Sequence, residues 1–393
     1  MDKKMVNIHE DIQNTKENFD LDGPIWTERK FSHPERQIRL GTSFSGIGAI
    51  EQALKQLNLN YKIQFAGDID ENVKKAYFAN YDITEDRWHT DIHQLNAIPF
   101  DGQIDLLVGG APCQAFSIRG KRGGFCDARG TLFSEFARII SECHPKVFIF
   151  ENVKGLLSLD KGKTWEVIKD TFENFCGYDV YYQVLNSRDY GIPQSRDRIY
   201  CIGFRNETEF KYPTPIKLKH SLYDFLDDEF DEKYFLPVKG ANFVTRTVNH
   251  QKSYTQVNGD VMLCQKRNQQ FNWHGDFVFH PMIGDIDAND SRKIFAVSRF
   301  EENYYVNDRL KRYSIESIGD NKYKLNRNNV KINPTVGRYR KFTPKECLRL
   351  MGFNDSFKQV VSDTETYKQS GNSIVVNVLM ALMKQLDITK YGE

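Results

Sequence analysis

Two reactive side chains stand where predicted strands end, and the first is a thiol. Cys113 follows a buried apolar run at residues 104–108, after Gly109, Gly110 and Pro112 break the strand. Open α/β sheets bind ligands at the carboxyl ends of their strands, so a thiol at this position is placed as a nucleophile. The alternative is a structural cysteine, because free cysteine is among the most buried residue types.

The second reactive side chain is a carboxyl group. Glu151 directly follows the apolar run at residues 146–150, which predicts a further buried strand. The two strand ends therefore bring Cys113 and Glu151 to the same edge of one sheet. A thiol and a carboxyl group in one pocket are suited to covalent catalysis assisted by proton transfer.

Two arginines precede another predicted strand, at residues 199–204. Arg196 and Arg198 alternate, so the two-residue period of a strand puts both side chains on one face. Paired arginines can clamp a carbonyl group or a phosphate. The alternative is a salt-bridged strand edge, with Asp189 and Asp197 as the partners.

The elements that would position these groups begin with a strand, a glycine turn and a helix. Residues 37–44 predict the strand, Gly46 and Gly48 lie in the turn, and residues 49–57 carry apolar side chains at helical spacing. Glycines let a backbone approach a ligand closely, although many α/β proteins have such a turn for packing alone. This order of elements is typical of nucleotide-type α/β folds.

Acidic residues stand at two neighbouring loops. Asp68 follows a second predicted strand at residues 62–66, about twenty residues beyond the glycine turn, where an acid can accept hydrogen bonds from ribose hydroxyls. The alternative role of Asp68 is the N-cap of the following helix. Asp91 could accept a hydrogen bond from an exocyclic amine, and its alternative is a turn or cap residue.

The composition is that of a soluble globular chain long enough for two domains. It has 393 residues, of which 40% are hydrophobic and 27% charged, and its mean hydropathy is −0.58. No apolar run approaches the roughly 20 residues of a membrane span, and no signal peptide is visible. Seven cysteines without a C-x-x-C pair favour a reduced, cytoplasmic protein with no metal site.

The pattern of the chain changes near residue 206, where strands and helices stop alternating. Short β-like runs follow, as at residues 242–248 and 276–279. Residues 237–341 carry eighteen Lys or Arg against ten Asp or Glu, an excess of eight positive charges. This segment predicts a smaller, mostly β domain with a face for a polyanion, and the alternative is an ordinary solvated surface.

Together these stretches resemble the C5-cytosine DNA methyltransferases of bacterial restriction–modification systems, in the family's order over residues 38–205 and 335–386. Three positions depart from the family's pattern, namely Thr42, Ala49 and Ile69, and none is catalytic. The motifs that carry the resemblance are Phe44-Ser-Gly-Ile-Gly48, Gly67-Asp68, Asp91-Ile92, Pro112-Cys113-Gln114, Glu151-Asn152-Val153, Gln194-x-Arg196-x-Arg198, residues 340–353 and Gly371-Asn372-Ser373.

The resemblance implies a Rossmann-like α/β domain that binds S-adenosylmethionine, at residues 38–205 and 363–393. It also implies a target-recognition domain at residues 206–362, while residues 1–37, with a short helix near 12–19, form an appended arm. The cofactor residues that it implies are Phe44, Gly46, Ile47, Gly48, Asp68, Ile69, Asp91, Ile92, Pro112, Leu132, Asn372 and Ser373.

The mechanism implied by the resemblance is covalent. Cys113 would add to C6 of cytosine, Glu151 would protonate N3, and Arg198, supported by Arg196, would hold O2, with no metal required. The cytosine must first be flipped out of the duplex. The loop at residues 116–129 would close over it as a lid, or is a surface loop without a fixed structure. The DNA contacts expected in this loop are Ser117, Arg119, Lys121 and Arg122.

The resulting hypothesis is a monomeric, cytoplasmic enzyme that methylates a specific double-stranded DNA sequence. It would protect host DNA from a cognate restriction endonuclease without forming a stable complex with that endonuclease. One alternative is an RNA cytosine-5 methyltransferase built on the same catalytic domain. Another is a non-catalytic DNA-binding relative, against which the intact set of Cys113, Glu151 and Arg198 argues.

Overall fold

The computed structural model describes residues 18–112, 132–246, 249, 254–268, 273–281, 295–296, 314–326 and 336–393. The described strands are β1 (Ile38–Ser43), β2 (Tyr61–Phe65), β3 (Leu106–Gly109), β4 (Val147–Val153), β5 (Asp179–Asn186), β6 (Asp197–Phe204), β7 (Glu229–Asp231), β8 (Thr255–Val257), β9 (Gly275–Pro281), β10 (Phe295–Ala296), β11 (Ser314–Gly319), β12 (Lys322–Asn326) and β13 (Val336–Arg340). The described helices are α1 (Ala49–Gln56), α2 (Glu71–Asn80), α3 (Leu132–Cys143), α4 (Lys163–Asp170), α5 (Val238–Val244), α6 (Pro344–Arg349), α7 (Asp363–Asn372) and α8 (Val376–Leu386).

The chain divides into two compact units. The first comprises Met1–Gly191, Asp197–Lys217 and Ser373–Glu393, and the second comprises Ile192–Arg196 and Leu218–Asn372. These divisions differ from the predicted boundaries at residues 206 and 363. The difference at α7 has a clear cause, because Tyr367 packs in the core of the second unit and its hydroxyl donates to the carbonyl of Phe342 at 2.6 Å.

The first unit is built on a six-stranded sheet with the strand order β2-β1-β3-β4-β6-β5. Strand β1 pairs in parallel with β2 and β3, and β3 pairs in parallel with β4, whereas β6 is antiparallel to both β4 and β5. The carboxyl ends of β1, β3 and β4 therefore lie side by side at one edge. Open sheets bind their ligands at this edge, so it is the edge that matters for function.

Aromatic packing under β3 and β4 fixes this edge. Helix α3 buries Phe133, Phe136, Ile139 and Ile140 at helical spacing. The rings of Phe136 and Phe150 lie 5.6 Å apart, and a Cβ built at Gly109 would lie 2.6 Å from the Phe136 ring. Glycine at the end of β3 therefore lets the helix pack closely against the sheet. Burying each such ring contributes about 1.5–3 kcal/mol to stability.

The second unit contains a four-stranded sheet, β10-β13-β9-β8, and a three-stranded sheet, β11-β12-β7, within its described residues. Residues 276–279, predicted as β, lie in β9, which confirms that prediction. Residues 242–248 were also predicted as β-like, and this is wrong for the part that lies in α5. The helix forms because Gly240, Ala241 and Val244 share one buried face, which outweighs the β propensity of the residues that follow.

A buried ion pair joins β13 to α6 in the second unit. The guanidinium of Arg340 donates to both carboxylate oxygens of Glu346, at 2.7 and 2.8 Å, and both side chains are fully buried. The backbone N–H groups of Thr343 and Asp227 donate to the same carboxylate. Removing one partner of such a pair costs about 3–5 kcal/mol, because the other charge stays buried.

The predicted N-terminal arm, residues 1–37, packs on the first unit over its described part. The N–H group of Asp20 donates to the carbonyl of Tyr212 at 2.9 Å, and the N–H group of Ser32 donates to Oδ1 of Asp387 at 3.0 Å. Nearly all of the short helix predicted within the arm lies outside the described residues. No helix in the described part of the chain is long and apolar enough to cross a membrane.

Candidate functional site

The segment that leads to Cys113 lies against Glu151. Strands β3 and β4 run in parallel, with Gly109 opposite Phe150, so the two chains leave the sheet next to each other. A Cβ built at Gly110 would lie 2.8 Å from the carbonyl oxygen of Glu151 and 3.3 Å from its Oε2. Glycine is therefore needed at position 110, because any side chain there would displace the acid.

A side chain from β4 also anchors this segment. Asn152 donates from Nδ2 to the carbonyl of Ala111 at 2.9 Å, and both residues are buried. Ala111 precedes Cys113 by two residues, and consecutive Cα atoms are about 3.8 Å apart. Cys113 itself lies outside the described residues, as do the whole predicted lid and the four predicted DNA contacts, which are Ser117, Arg119, Lys121 and Arg122.

Glu151 has an arginine partner on the neighbouring strand. Oε1 of Glu151 lies 3.2 Å from Nε of Arg198, and 12% and 15% of the two side chains are exposed. Arg198 is opposite Val153 in the antiparallel pair of β4 and β6, so it reaches Glu151 diagonally on the same face. Arg198 also donates to the carbonyl of Asp197 at 2.8 Å. The arginine therefore holds the carboxyl group in a fixed orientation and leaves part of it accessible.

Arg196 has different surroundings from Arg198. Strand β6 begins at Asp197, so the strand alternation that predicted a shared face does not extend to Arg196. Arg196 belongs to the second unit, is buried, and donates to the carbonyls of Gln265 at 2.7 Å and Gly371 at 3.2 Å. The two arginines, which were predicted to share one face of a strand, therefore contact different partners in the structure.

The predicted salt-bridged edge is also different in the structure. Asp189 lies 3.5 Å from Arg188, and Asp197 lies 3.5 Å from Lys154. These two acids therefore have other basic partners among the described contacts, while Arg198 contacts Glu151.

The glycine turn after β1 is tied to the end of β2. The N–H group of Gly46 donates to Oδ2 of Asp68 at 3.1 Å, and the N–H group of Gly67 donates to Oγ of Ser45 at 2.9 Å. Gly46 and Gly48 have φ angles of 54° and 77°, which favour glycine. A Cβ at Gly48 would lie 2.2 Å from the Tyr81 ring, whereas a Cβ at Gly46 would meet none of the described atoms within 4 Å. The turn therefore leaves room at Gly46 for a ligand to approach the backbone.

Asp68 is not the cap of helix α2, which was its alternative role. The N-cap is Asp70, whose side chain accepts from the N–H group of Asn72 at 2.8 Å. Asp68 instead accepts from Gly46 and from the N–H group of Asp70 at 3.1 Å, and burial raises the pKa of its carboxyl group. Ile69, beside it, is 79% exposed, whereas Asp68 is half-buried.

Asp91 makes the local contacts of a cap residue. It precedes the short helical turn Ile92–Gln94, and its Oδ1 accepts from the N–H group of His93 at 3.0 Å. The side chain of His93 also contacts Oδ1 at 2.7 Å and lowers the pKa of Asp91. These contacts match the alternative role given to Asp91, a turn or cap residue.

The remaining predicted cofactor residues fall into three groups. The half-buried side chains of Phe44, Ile92 and Leu132 pack against the same core cluster, and Ile47 is buried. Pro112 is exposed at the end of the described segment. Asn372 ends α7 in the second unit, whereas Ser373 begins the last segment of the first unit and its hydroxyl donates to the carbonyl of Ile374.

A buried carboxyl group beneath the glycine turn was not predicted. Glu51 of α1 is fully buried, and it accepts from the hydroxyls of Tyr77 and, at 3.5 Å, Thr42. Burial raises the pKa of Glu51 to about 7. The sequence indicates this burial, because Glu51 lies three residues before Leu54 and therefore on the apolar face of the predicted helix.

The comparisons with known proteins agree with the fold and with the motifs. The model of a family described as C-5 cytosine-specific DNA methylase matches residues 39–387. The chain is 36% identical over 356 residues to the type II methyltransferase M.SsoII of Shigella sonnei, covering 89% of this chain and 80% of that protein. It is 34% identical over 349 residues to the type II methyltransferase M1.ScrFI of Lactococcus lactis subsp. cremoris, covering 87% and 76%.

Solved structures give the same fold. The crystal structure of the S. pombe Dnmt2 methyltransferase matches with a TM-score of 0.61 at 21% identity, covering 89% of this chain and 98% of that one. At this identity the likeness concerns the fold alone, and it confirms the predicted α/β methyltransferase architecture.

Proposed function

The chain belongs to the C-5 cytosine-specific DNA methylase family, and from that premise we propose that it methylates C5 of a flipped-out cytosine in a specific double-stranded DNA sequence. The observation that carries this proposal is the contact between two strand ends. Asn152 holds Ala111, and Gly110 packs on Glu151, so the segment entering Cys113 starts beside the acid. A thiol and a carboxyl group that serve one pyrimidine ring need this proximity.

Cys113 is the nucleophile in the proposed reaction. Its thiolate adds to C6 of the cytosine, and the electrons of the C5–C6 double bond move into the ring toward N3. Glu151 donates a proton at N3, which stabilises the adduct and makes C5 nucleophilic. Arg198 keeps the carboxyl group oriented through the 3.2 Å contact, and it is proposed to hold the O2 atom of the base. After methyl transfer, C5 loses its proton to water and Cys113 leaves as the thiolate. The N3 proton then returns to Glu151, which restores the carboxylic acid for the next cycle.

The residues of the first unit fit S-adenosylmethionine as the cofactor. The glycine turn has open space at Gly46, and the exposed side chain of Ile69 offers an apolar face for an adenine ring. Asp68 is proposed to accept hydrogen bonds from the ribose hydroxyls, because its carboxyl group lies at the end of β2 beside the turn. When bound, this cofactor supplies the methyl group. Phe44, Ile47, Gly48, Asp91, Ile92, Pro112, Leu132 and Ser373 of the same unit are proposed to complete its site.

The second unit is proposed to read the DNA sequence, and the predicted lid to close over the extruded base. The matched relatives are named type II methyltransferases. By analogy with those names, the biological role proposed here is protection of DNA from a cognate restriction endonuclease. The enzyme is proposed to act as a monomer.

Trapping the covalent adduct tests the proposal directly. A duplex in which cytosine carries fluorine at C5 cannot lose a proton there, so the enzyme should stay attached to it after methyl transfer. We expect a covalent complex with the wild-type protein and none with Cys113→Ala, which should lose all methylation and still bind DNA. Cys176→Ala is the matched control, because Cys176 is a half-buried thiol of the first unit outside the predicted site.

Methylation assays with the same proteins distinguish the DNA methyltransferase from the RNA methyltransferase and from the non-catalytic relative. Bisulfite sequencing of DNA from cells that express the protein should show methylcytosine in one sequence context, and methyl transfer to RNA alone would favour the RNA enzyme. Full activity of Cys113→Ala would exclude the covalent route. Absence of any methyl transfer by the wild-type protein would leave only a DNA-binding relative.

A further inference from the structure

A four-residue segment of the second unit, residues 264–267, is held from one side by the arginine motif. Oε1 of Gln194 accepts from the N–H group of Gln265 at 2.9 Å, and Nε2 of Gln194 donates to the carbonyl of Leu350 at 2.7 Å. Arg196 donates to the carbonyl of Gln265 at 2.7 Å. Both polar groups of the Gln265 peptide backbone are thus bonded to buried side chains, which fixes the segment in place.

The end of α7 holds the segment from the other side. Nε2 of Gln265 donates to the hydroxyl of Ser370 at 2.6 Å, and Arg196 donates to the carbonyl of Gly371 at 3.2 Å. A Cβ built at Gly371 would lie 2.5 Å from the backbone nitrogen of Arg267 and 2.5 Å from the carbonyl carbon of Lys266. The helix therefore touches the segment backbone to backbone, and only glycine permits that approach.

Two side chains on this fixed backbone are exposed and basic. Gln265 points into the protein and is buried, whereas Lys266 and Arg267 are exposed. They lie within the stretch at residues 237–341 that carries the excess of positive charge. Two adjacent cations on an ordered backbone lose less conformational entropy on binding an anion than the same cations on a free loop.

The cost of this arrangement argues for a binding role. Gln194, Arg196 and Gln265 are 0%, 3% and 2% exposed, and burying amide and guanidinium groups is unfavourable unless hydrogen bonds compensate for it. Three of the described side-chain bonds of Gln194 and Arg196 go to this short segment. The next two side chains of the segment, those of Lys266 and Arg267, are exposed. A guanidinium bonded to carbonyl oxygens also keeps its positive charge, which raises the local potential for an anion.

We propose that Lys266 and Arg267 contact phosphates of the DNA backbone, and that Arg196 is the positioning residue that holds them there. The proposal rests on the proposed function for the identity of the polyanion. Phosphate contacts set the orientation of a duplex without reading its sequence. The motif that delivers Arg198 to Glu151 thus also fixes a DNA contact through Gln194 and Arg196.

Salt dependence of DNA binding tests the contact. The variant Lys266→Ala/Arg267→Ala should lose affinity for cognate and unrelated duplexes alike, and its slope of log affinity against log salt should fall by about 2, close to one for each lost phosphate contact. The matched control is Lys219→Ala/Lys358→Ala, which removes two exposed lysines of the same unit outside the basic stretch at residues 237–341 and should keep the wild-type slope. Equal slopes for the two variants would overturn the proposal.

Arg196→Lys tests the positioning role. Lysine keeps the charge but cannot donate to two carbonyl groups with a fixed fork. We expect a reduced salt slope and a KM for DNA raised about tenfold, a larger change than that in kcat. A fall in kcat at unchanged KM would instead place Arg196 at the reacting base. Binding is measured with the full chain on unmethylated duplexes, so these slopes are interpretable even if the protein proves to transfer no methyl group. Circular dichroism melting of each variant separates a lost contact from a lost fold, and a folded Arg196→Lys variant with the wild-type slope would also contradict the role.

Discussion

Arg196 and Arg198 lie two residues apart, yet the two units of the molecule give them opposite kinds of partner. In the first unit Arg198 contacts the carboxyl group of Glu151 at a partly exposed strand end. In the second unit the buried guanidinium of Arg196 donates to the carbonyls of Gln265 and Gly371. An arginine against a reactive acid can take part in chemistry, whereas an arginine against backbone carbonyls fixes the position of a segment. The contacts, and not the residue type, separate the two roles.

The largest effect is expected from replacing the acid that Arg198 contacts, Glu151, by a neutral residue. Glu151→Gln keeps the size and hydrogen-bonding capacity of the side chain but removes the acidic proton. We expect kcat to fall by about 10²–10⁴-fold, the usual contribution of a general acid, with DNA binding retained. Single-turnover methylation of a cognate duplex measures it. A kcat within a few-fold of wild type would remove Glu151 from the mechanism.

Replacing the arginine at the same strand end should have the next largest effect. Arg198→Lys keeps the charge and loses the planar fork, so we expect kcat to fall by about 10²-fold, as for loss of one preorganised donor. Combined with Glu151→Gln, the double variant should be no worse than about tenfold below Glu151→Gln alone, because residues that act as a unit are not additive. Strictly additive losses would show that the 3.2 Å contact has no role in catalysis.

The last prediction concerns the stability of the protein. It compares a buried carboxyl group, that of Glu51, with the buried guanidinium of Arg196. Glu51 is fully buried among hydroxyls and can take up a proton, whereas a buried arginine cannot lose one. Its pKa rises from 4.5 to about 7 on burial, so the folded protein binds this proton more tightly than the unfolded chain. The stability that it contributes is therefore complete below about pH 4.5 and is lost as the pH rises through 7.

Glu51→Gln removes that dependence on pH. Relative to the variant, the free energy of unfolding of the wild type should fall by up to about 3 kcal/mol between pH 5 and pH 8, since one pKa unit corresponds to about 1.4 kcal/mol. Urea unfolding of both proteins across this range measures the difference. The comparison with the variant matters because Asp276 of the second unit, whose pKa burial also raises to about 7, contributes equally to both curves. Parallel curves would show that Glu51 does not titrate in the folded protein.

Much of the first unit could be predicted from local patterns. Short runs rich in apolar residues identified β1, β3 and β4 to within three residues at each end. Parallel strands with helical crossovers place their carboxyl ends at one edge, so Cys113 and Glu151 were expected to meet there. The structure brings Gly110, three residues before Cys113, against Glu151. The motif resemblance fixed the family because several independent motifs occur in the family's order.

Other features depended on contacts that a local pattern does not contain. The β-like residues 242–248 begin inside α5, because burial of one helical face outweighed their propensity. Asp70, not Asp68, caps α2, since the chain has two acids within three residues and only the turn geometry selects one. The second unit ends after α7, and not before it, because Tyr367 of this helix packs in the core of that unit.

The sequence by itself determined the family, the order of strands and helices in the first unit, and the pairing of an acid with the segment that carries the thiol. These depend on periodicity, glycine positions and strand direction, which are properties of neighbouring residues. Only the tertiary structure decided that Arg198 faces Glu151 while Arg196 supports residues 264–267. The reason is physical: a guanidinium forms equally good hydrogen bonds with a carboxylate or with carbonyl oxygens, and only the folded chain determines which acceptor it meets.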